Sequence, residues 1–338
     1  MARRITSADV AREAGLSRAT VSYVLNNTPH QKIPDETRQR VLSAAQRLGY
    51  APSAAARALR SGRSDVVLCL LPDWPLGPEV GALTSNLSTE LAGHGMTFVL
   101  HPITAGGRST AEIWKAITPA AVLAFEEFSA DESAAMTAAG IELVVALLGR
   151  SRQRRRGRDD LALPRELEVP QQRIGRMQAE HLAATGHTRL GFAYPDDERL
   201  RNFAEPRLDG VRVACVDLGL DDPDVREVPL DPAAAAVQVT AWNAAGVSGI
   251  CAYNDEVALA VLAGMRLRGL AAPDDLAVIG VDDIPSARLA APPLTTVTTD
   301  QAAVAAHLAA TIVAVIAGEP EPPRPGSDIV QVTRRSSA

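Results

Sequence analysis

A small all-α head, a short hinge helix and an α/β core of two doubly wound lobes is the fold class this sequence predicts. Three observations predict it. The first 50 residues carry helical periodicity broken once by a glycine. Charge changes sign near residue 64: residues 1–64 hold 11 Lys+Arg against 4 Asp+Glu, net +7, and the remaining 274 hold 23 against 36, net −13. From Asp65 onward, short apolar runs alternate with amphipathic stretches, the pattern of strands and crossover helices.

The first helix opens at a Thr6-x-x-Asp9 box, in which side-chain oxygens can accept from unpaired amides, and buries Val10, Ala11 and Ala14. Gly15 ends it, because glycine tolerates the left-handed exit that a sharp corner needs. Leu16 plugs the corner. Ser17 caps a second helix whose Val21, Val24 and Leu25 share one face. The other face carries Arg18, Ala19, Thr20, Ser22, Tyr23 and Asn26. Such a hydroxyl- and amide-rich face suits phosphate oxygens, while Arg18 and Tyr23 are long enough to reach base edges in a major groove. The same twenty residues also fit an ordinary pair of surface helices. A third helix from about Asp35 to Leu48, with Val41, Leu42, Ala45 and Leu48 at helical spacing, closes a three-helix core. After Gly49 and Tyr50, the Ala-rich run APSAAARALRSGRS (residues 51–64) reads as a short hinge helix and linker.

In the core, VVLCLLP from Val66 is a buried strand, followed by a helix to about Gly93 and the strand MTFVLHP. A helix near Ala111 to Ile117, the strand AAVLAFE, the helix DESAAMTAAG and the strand IELVVALL complete one unit. The second unit alternates the helices IGRMQAEHLAATG, PRLDGVRVACVDLG, AAAAVQVTAWNAAG and EVALAVLAGMRLRG with the strands TRLGFAYP, VREVPL, GICAYN and LAVIGVDD. PPLTTVTT then leads into a last helix, Gln301 to Ala317, and a final strand, IVQVT. Two regions interrupt the pattern. Six arginines within Arg150 to Arg158 read as a solvated loop, because blocks of like charge repel, although a second nucleic-acid patch would look the same. Gly318 to Gly326, rich in proline, is a linker.

Several function classes are excluded. Hydrophobic residues make up 46% of the chain, yet no run reaches the ~18 apolar residues of a membrane span, and MARRITSADV lacks the apolar stretch of a secretory signal, so the chain is expected in the cytoplasm. Cys69, Cys215 and Cys251 are an odd number, widely spaced in apolar segments, which predicts buried thiols. His181 and His187 have no Cys or carboxylate at ligand spacing, so no metal is expected. No Gly-rich dinucleotide loop, P-loop or nucleophile elbow is present, so the chain reads as a non-enzyme without cofactor. A basic head is the footprint of a polyanion, and an acidic body stays off it.

The spaced runs TSADVAREAGLSRATVSYVLN, ETRQRV and GYAPSAAARALRSGRS, in that order, resemble the DNA-binding head and hinge helix of the LacI/GalR family of transcriptional repressors. The resemblance continues through most of the chain and implies a periplasmic-binding-protein-like core: a head at 1–50, a hinge at 51–64, one lobe from 65–168 plus 299–322 and another from 169–298 plus 323–338. It implies that Leu59 from two copies wedges into the minor groove at the operator centre, with Arg57 and Arg60 beside it on phosphates or base edges. Thr6, Ser17, Ala19, Thr20, Ser22 and Asn26 are expected to dock on the DNA around the base-reading Arg18 and Tyr23. In such sheets ligands bind beyond the carboxyl ends of the strands. PRLDG (206–210) matches the family motif that places Arg207 on effector oxygens, and IGVDD (279–283) matches the strand end whose first acid, Asp282, accepts from effector donors. An ion pair between Arg207 and Asp282 with no ligand is the alternative. Arg201 is a candidate second cation, and Asn254 and Asp255 either touch ligand or cap the next helix.

The chain also departs from the family pattern. Leu230 stands where many members carry an aromatic platform. Gln172 and Arg173 open the second lobe where an acid is common, and Trp74 after the first strand is a candidate replacement wall. The expectation is a homodimeric regulator, a repressor of a palindromic operator in double-stranded DNA, switched by a small-molecule effector such as a sugar or another oxygen-rich or anionic metabolite. One short reading helix contacts too few bases alone, and two-fold symmetry doubles the contact. The alternative is a sugar-like receptor or enzyme with an incidental helical appendage.

Overall fold

The computed structural model describes residues 5–25, 32–50, 64–104, 106–147, 166–168, 170–323, 330–333 and 335–338. Two compact units divide near Asp65. The first begins with helix α1 (Ser7–Ala14). The Asp9 carboxylate accepts both the Thr6 backbone N–H (2.9 Å) and the Thr6 hydroxyl (2.7 Å), so it satisfies an amide left open at the helix start. Gly15 leaves the helix at φ 63°, and Arg40 of helix α3 (Asp35–Arg47) donates to the Ala14 carbonyl at 2.7 Å, closing its other end. Helix α2 (Arg18–Leu25) lies between them. Val10, Ala11, Ala14, Val21, Val24, Val41, Ala44 and Ala45 form one buried cluster, with Leu16, Leu25 and Leu48 at its margin. Leu42, expected in this core, is instead 43% exposed, since it stands about 100° around the helix from Val41, and Ala44 takes the inward position.

The second unit holds two sheets. The first has the order β2-β1-β3-β4-β5, all parallel, with β1 (Val66–Leu71), β2 (Thr97–Pro102), β3 (Ala121–Ala124), β4 (Glu142–Leu147) and β5 (Glu166–Glu168). Its helices are α4 (Pro78–Gly93), α5 (Thr110–Ile117) and α6 (Ala130–Ala138). Ser109 and Ser129 open α5 and α6 with capping boxes to Glu112 and Glu132, which is why these two short helices start where they do. The second sheet has the order β11-β10-β9-β8-β6-β7, with β6 (Leu190–Pro195), β7 (Asp224–Val228), β8 (Gly249–Ala252), β9 (Ala277–Val281), β10 (Thr295–Thr299) and β11 (Val330–Thr333). Only β11 runs antiparallel. Helices α7 (Gln171–Ala184), α8 (Arg201–Leu218), α9 (Pro232–Ala244) and α10 (Asp255–Leu267) flank it. Strands such as β1, β3, β8 and β9 are almost wholly buried, as parallel strands covered on both faces must be. Helix α11 (Gln301–Ala317) follows β10 but packs on α4, β3 and β4 of the other lobe before the chain returns as β11.

Two local readings are corrected. Strand β5, three residues long with two glutamates, was not expected, because so short a charged edge strand carries no periodicity. Helix α8 begins five residues before Pro206, the expected start. A 3-10 turn, Glu198–Leu200, capped by the Asp197 side chain, feeds straight into it and carries the helix through the proline. All three cysteines are buried thiols. Among the described residues no helix is long and apolar enough to cross a membrane, and no group of three His, Cys, Asp or Glu side chains could hold a metal ion. The hinge residues Arg57, Leu59 and Arg60, the reading-helix residue Asn26 and the arginine-rich loop lie outside the described residues.

Candidate nucleic-acid interface and effector cleft

In the head, Ser17 Oγ accepts the Thr20 N–H at 3.1 Å and lies 2.9 Å from the Thr20 hydroxyl, so both side chains first build the start of α2. Ser17, Arg18, Ala19 and Tyr23 are exposed and Thr20 and Ser22 half-buried, all on the side away from Val21 and Val24. The other cations near the turn are engaged: Arg12 on Asp9, Arg40 on the Ala14 carbonyl and Arg47 on Glu13. Among the described residues Arg18 makes no such contact. Thr6 is exposed at the start of α1, its hydroxyl held by Asp9. Among the described residues α2 thus presents Arg18 and the Tyr23 phenol on its exposed side, both long enough to reach base edges.

In the core, strand order reverses between β1 and β3 and again between β6 and β8; Trp74 lies just past β1, Asn254 just past β8 and Asp282 just past β9. Trp74, just past β1, packs edge-on against Phe203 of α8 (centroids 4.9 Å apart) and tilted against Phe125 past β3 (5.2 Å). It therefore spans the two lobes. Arg207 is buried. Its Nε donates to Gln171 Oε1 at 2.8 Å and its Nη1 to the Tyr253 carbonyl at 2.6 Å, its guanidinium lies 4.8 Å from the Tyr253 ring centroid, and Nη2 reaches Asp282 Oδ1 at 3.8 Å. The ion pair weighed from sequence is thus present, on a guanidinium that donates hydrogen bonds through Nε and Nη1. Burial raises the Asp282 pKa above the usual carboxylate range, and Arg207 opposes that rise.

Asp282 sits on a strained turn, with φ 108° at Asp282 and 50° at Asp283. Its supports are specific. Asp255, fully buried at the start of α10, accepts the Ile284 N–H at 2.9 Å and the Thr296 hydroxyl at 2.7 Å, and Thr296 in turn accepts from the Asp283 N–H at 3.3 Å. Asp283 is tied to Arg335 (2.6 Å) and Arg288 (3.1 Å). Gly280 is required here, because a Cβ at that position would lie 2.1 Å from Asp255 Oδ1.

The remaining sequence candidates fall elsewhere. Asn254 caps α10, its side chain accepting from the Val257 N–H at 3.0 Å. Arg201 is 66% exposed and pairs with Glu205 at 3.4 Å, and Arg173 is exposed on α7. Neither joins Arg207. Leu230 is 61% exposed just before α9. Sequence reasoning missed Gln171, Phe125, Phe203 and Tyr253, and it weighed Asp255 only as a helix cap or ligand contact, not as the support of the Asp282 turn. The aromatics carried a usable signal: in a chain only 4% aromatic, Phe125 and Tyr253 each directly follow a strand. Gln171 is the residue immediately after Pro170, and a helix start read at Ile174 hid it.

Residues 6–53 match the profile of bacterial regulatory proteins of the lacI family, and residues 179–338 a periplasmic binding protein-like domain. The chain is 30% identical to the HTH-type transcriptional regulator GalS of Salmonella typhimurium, over 87% of this chain and 84% of that one. It is 28% identical to the HTH-type transcriptional regulator CelR of Thermobifida fusca, over 95% and 94%. Among solved structures, the lac repressor dimer bound to operator and an anti-inducer superposes with a TM-score of 0.77 over 99% of both chains at 20% identity, and a CelR–cellobiose complex with 0.63 over 99% and 100% at 25%. With an N-terminal three-helix head and a two-sheet α/β core that each match a family profile, this chain belongs to the LacI/GalR family of transcriptional regulators.

Proposed function

We propose that the protein is a cytoplasmic homodimeric repressor that reads a palindromic operator with α2 and is switched by a small molecule held between the lobes 65–168 plus 299–322 and 169–298 plus 323–338. The observation that carries the switch is the Trp74 bridge from just past β1 to Phe203 of α8, the helix that also carries Arg207. A ligand entering there must touch both lobes, so its contacts differ between lobe arrangements, and only such differential contacts can shift the equilibrium. The CelR–cellobiose complex supports a sugar-like effector. Arg207 and Asp282 hold the ligand, Gln171 and Asp255 orient them, and Trp74 stacks against it.

Two expected results check this reading. Arg18→Ala relaxes base preference at one position of each half-site at a cost of about 1–3 kcal/mol, measured on single-base operator variants. Uniform weakening on all sequences would assign Arg18 to phosphate instead. In a thermal-shift screen of mono- and disaccharides, a compound that raises Tm of the parent protein loses that shift in Arg207→Ala, while operator affinity without ligand is retained. An undiminished shift in the variant contradicts the cleft assignment.

A further inference from the structure

Asp73 and Arg199 face each other from the two sheets, and neither the ligand reading nor the packing of the core requires them. Asp73 follows β1 of the first sheet, and Arg199 is the middle residue of the 3-10 turn Glu198–Leu200 that follows β6 of the second. One edge of the guanidinium is occupied within its own turn. Its Nε donates to Asp197 Oδ1 at 2.9 Å and Oδ2 at 3.1 Å, its Nη2 donates to Oδ2 at 2.6 Å, and Asp197 Oδ1 also accepts the Arg199 backbone N–H at 3.0 Å. Such a two-pronged pairing fixes the plane of the guanidinium. The remaining arm, Nη1, lies 3.6 Å from Asp73 Oδ1.

That geometry decides what the pair can do. An arginine already held by its own turn loses little further side-chain freedom on meeting a second carboxylate, and this loss is what makes most surface ion pairs negligible. At 3.6 Å the contact is too long for a hydrogen bond, so it is a Coulomb attraction that strengthens as the two turns approach and fades as they part. The side chains are 47% and 61% exposed, so the attraction shifts a two-state equilibrium by only roughly two- to fivefold and is screened by salt. The same two turns also make the aromatic bridge: Trp74 directly follows Asp73, and its partner Phe203 stands four residues after Arg199. Arg201, the next cation along, is taken by Glu205 at 3.4 Å.

We infer that Asp73 and Arg199 form an electrostatic latch between the lobes: the pair favours the arrangement in which Trp74 touches Phe203, and so sets how readily the lobes part before any ligand arrives. The latch goes beyond the effector reading, since it acts in the ligand-free protein. Where a ligand touches both lobes, as proposed above, the latch raises affinity for it as well, because the arrangement that binds is already favoured.

The test is acrylamide quenching of tryptophan emission in the ligand-free full-length protein, at about 20 mM and about 500 mM salt. Trp114 and Trp242 are buried, so a change in quenching reports the half-buried Trp74. Asp73→Arg, which sets two cations against each other, is expected to raise the Stern–Volmer constant about twofold at low salt, and Asp73→Asn to raise it less. Adding Arg199→Asp to Asp73→Arg restores an attractive pair and is expected to return the constant to near the parent value. At high salt all four proteins converge. Parent-like quenching of Asp73→Arg at low salt, no recovery in the double variant, or a difference that survives high salt overturns the inference. The outcome is independent of the saccharide screen with Arg207→Ala, so the latch and the effector reading can each fail alone.

Discussion

Deleting residues 1–64 is expected to abolish specific operator binding, a loss of more than about 10³-fold, while the remaining core stays folded. The head carries net +7 and the remainder −13, so every electrostatic contribution to DNA affinity comes from the head and the remainder opposes it. The remainder is expected to fold alone because, among the described residues, Val10, Val21 and Val41 belong to one hydrophobic cluster, whereas Leu87, Phe192, Trp242 and their neighbours form another. Affinity of the full chain should also fall by orders of magnitude between about 50 and 200 mM salt, because the condensed counterions that Arg and Lys displace gain less entropy on release into more concentrated salt. Fluorescence anisotropy on labelled duplex measures both. Tight operator binding by the truncated chain contradicts the assignment.

The second large effect lies where α7 crosses α8. A Cβ at Gly175 would stand 1.8 Å from the Arg207 carbonyl oxygen, and one at Gly210 would stand 1.9 Å from that of Gln172. These are backbone atoms of two packed helices, so neither can yield without separating the pair. That contact is also what brings Gln171 to Arg207 at 2.8 Å. Gly210→Ala is therefore expected to cost about 3 kcal/mol or more, lowering Tm by roughly 6–12 °C, and to weaken ligand binding through misplacement of Arg207. Gly93→Ala is the control, since nothing lies within 4 Å of its added methyl and its φ is unremarkable. Equal Tm values for the two variants would mean that the helices are free to part and do not fix the site.

Much of this architecture was legible in the residues. Local chemistry marked the turn, because Thr6, Gly15 and Ser17 each do a job that few residue types can do and that acts within three or four positions. Buried parallel strands were legible as apolar runs, and α11 was bounded correctly at Gln301 and Ala317. The site was legible only in part. Arg207 and Asp282 were found through a family motif. How Gln171, Asp255 and Thr296 support them was not, because these residues lie 29 to 41 positions from their partners, and periodicity says nothing about contacts at that range. Arg201 and Arg173, counted from the sequence toward an oxygen-rich or anionic ligand, are both exposed, and Arg201 pairs with Glu205.

The central claim is that a two-fold pair of α2 helices reads DNA. The most direct measurement is selection of bound duplexes from a random pool by the full-length protein, followed by sequencing. The account predicts enrichment of a palindrome whose two half-sites are about one helical turn apart, with Arg18→Ala degrading the same position in both halves. Enrichment of no sequence, or of a single unpaired half-site unaffected by Arg18→Ala, would contradict it.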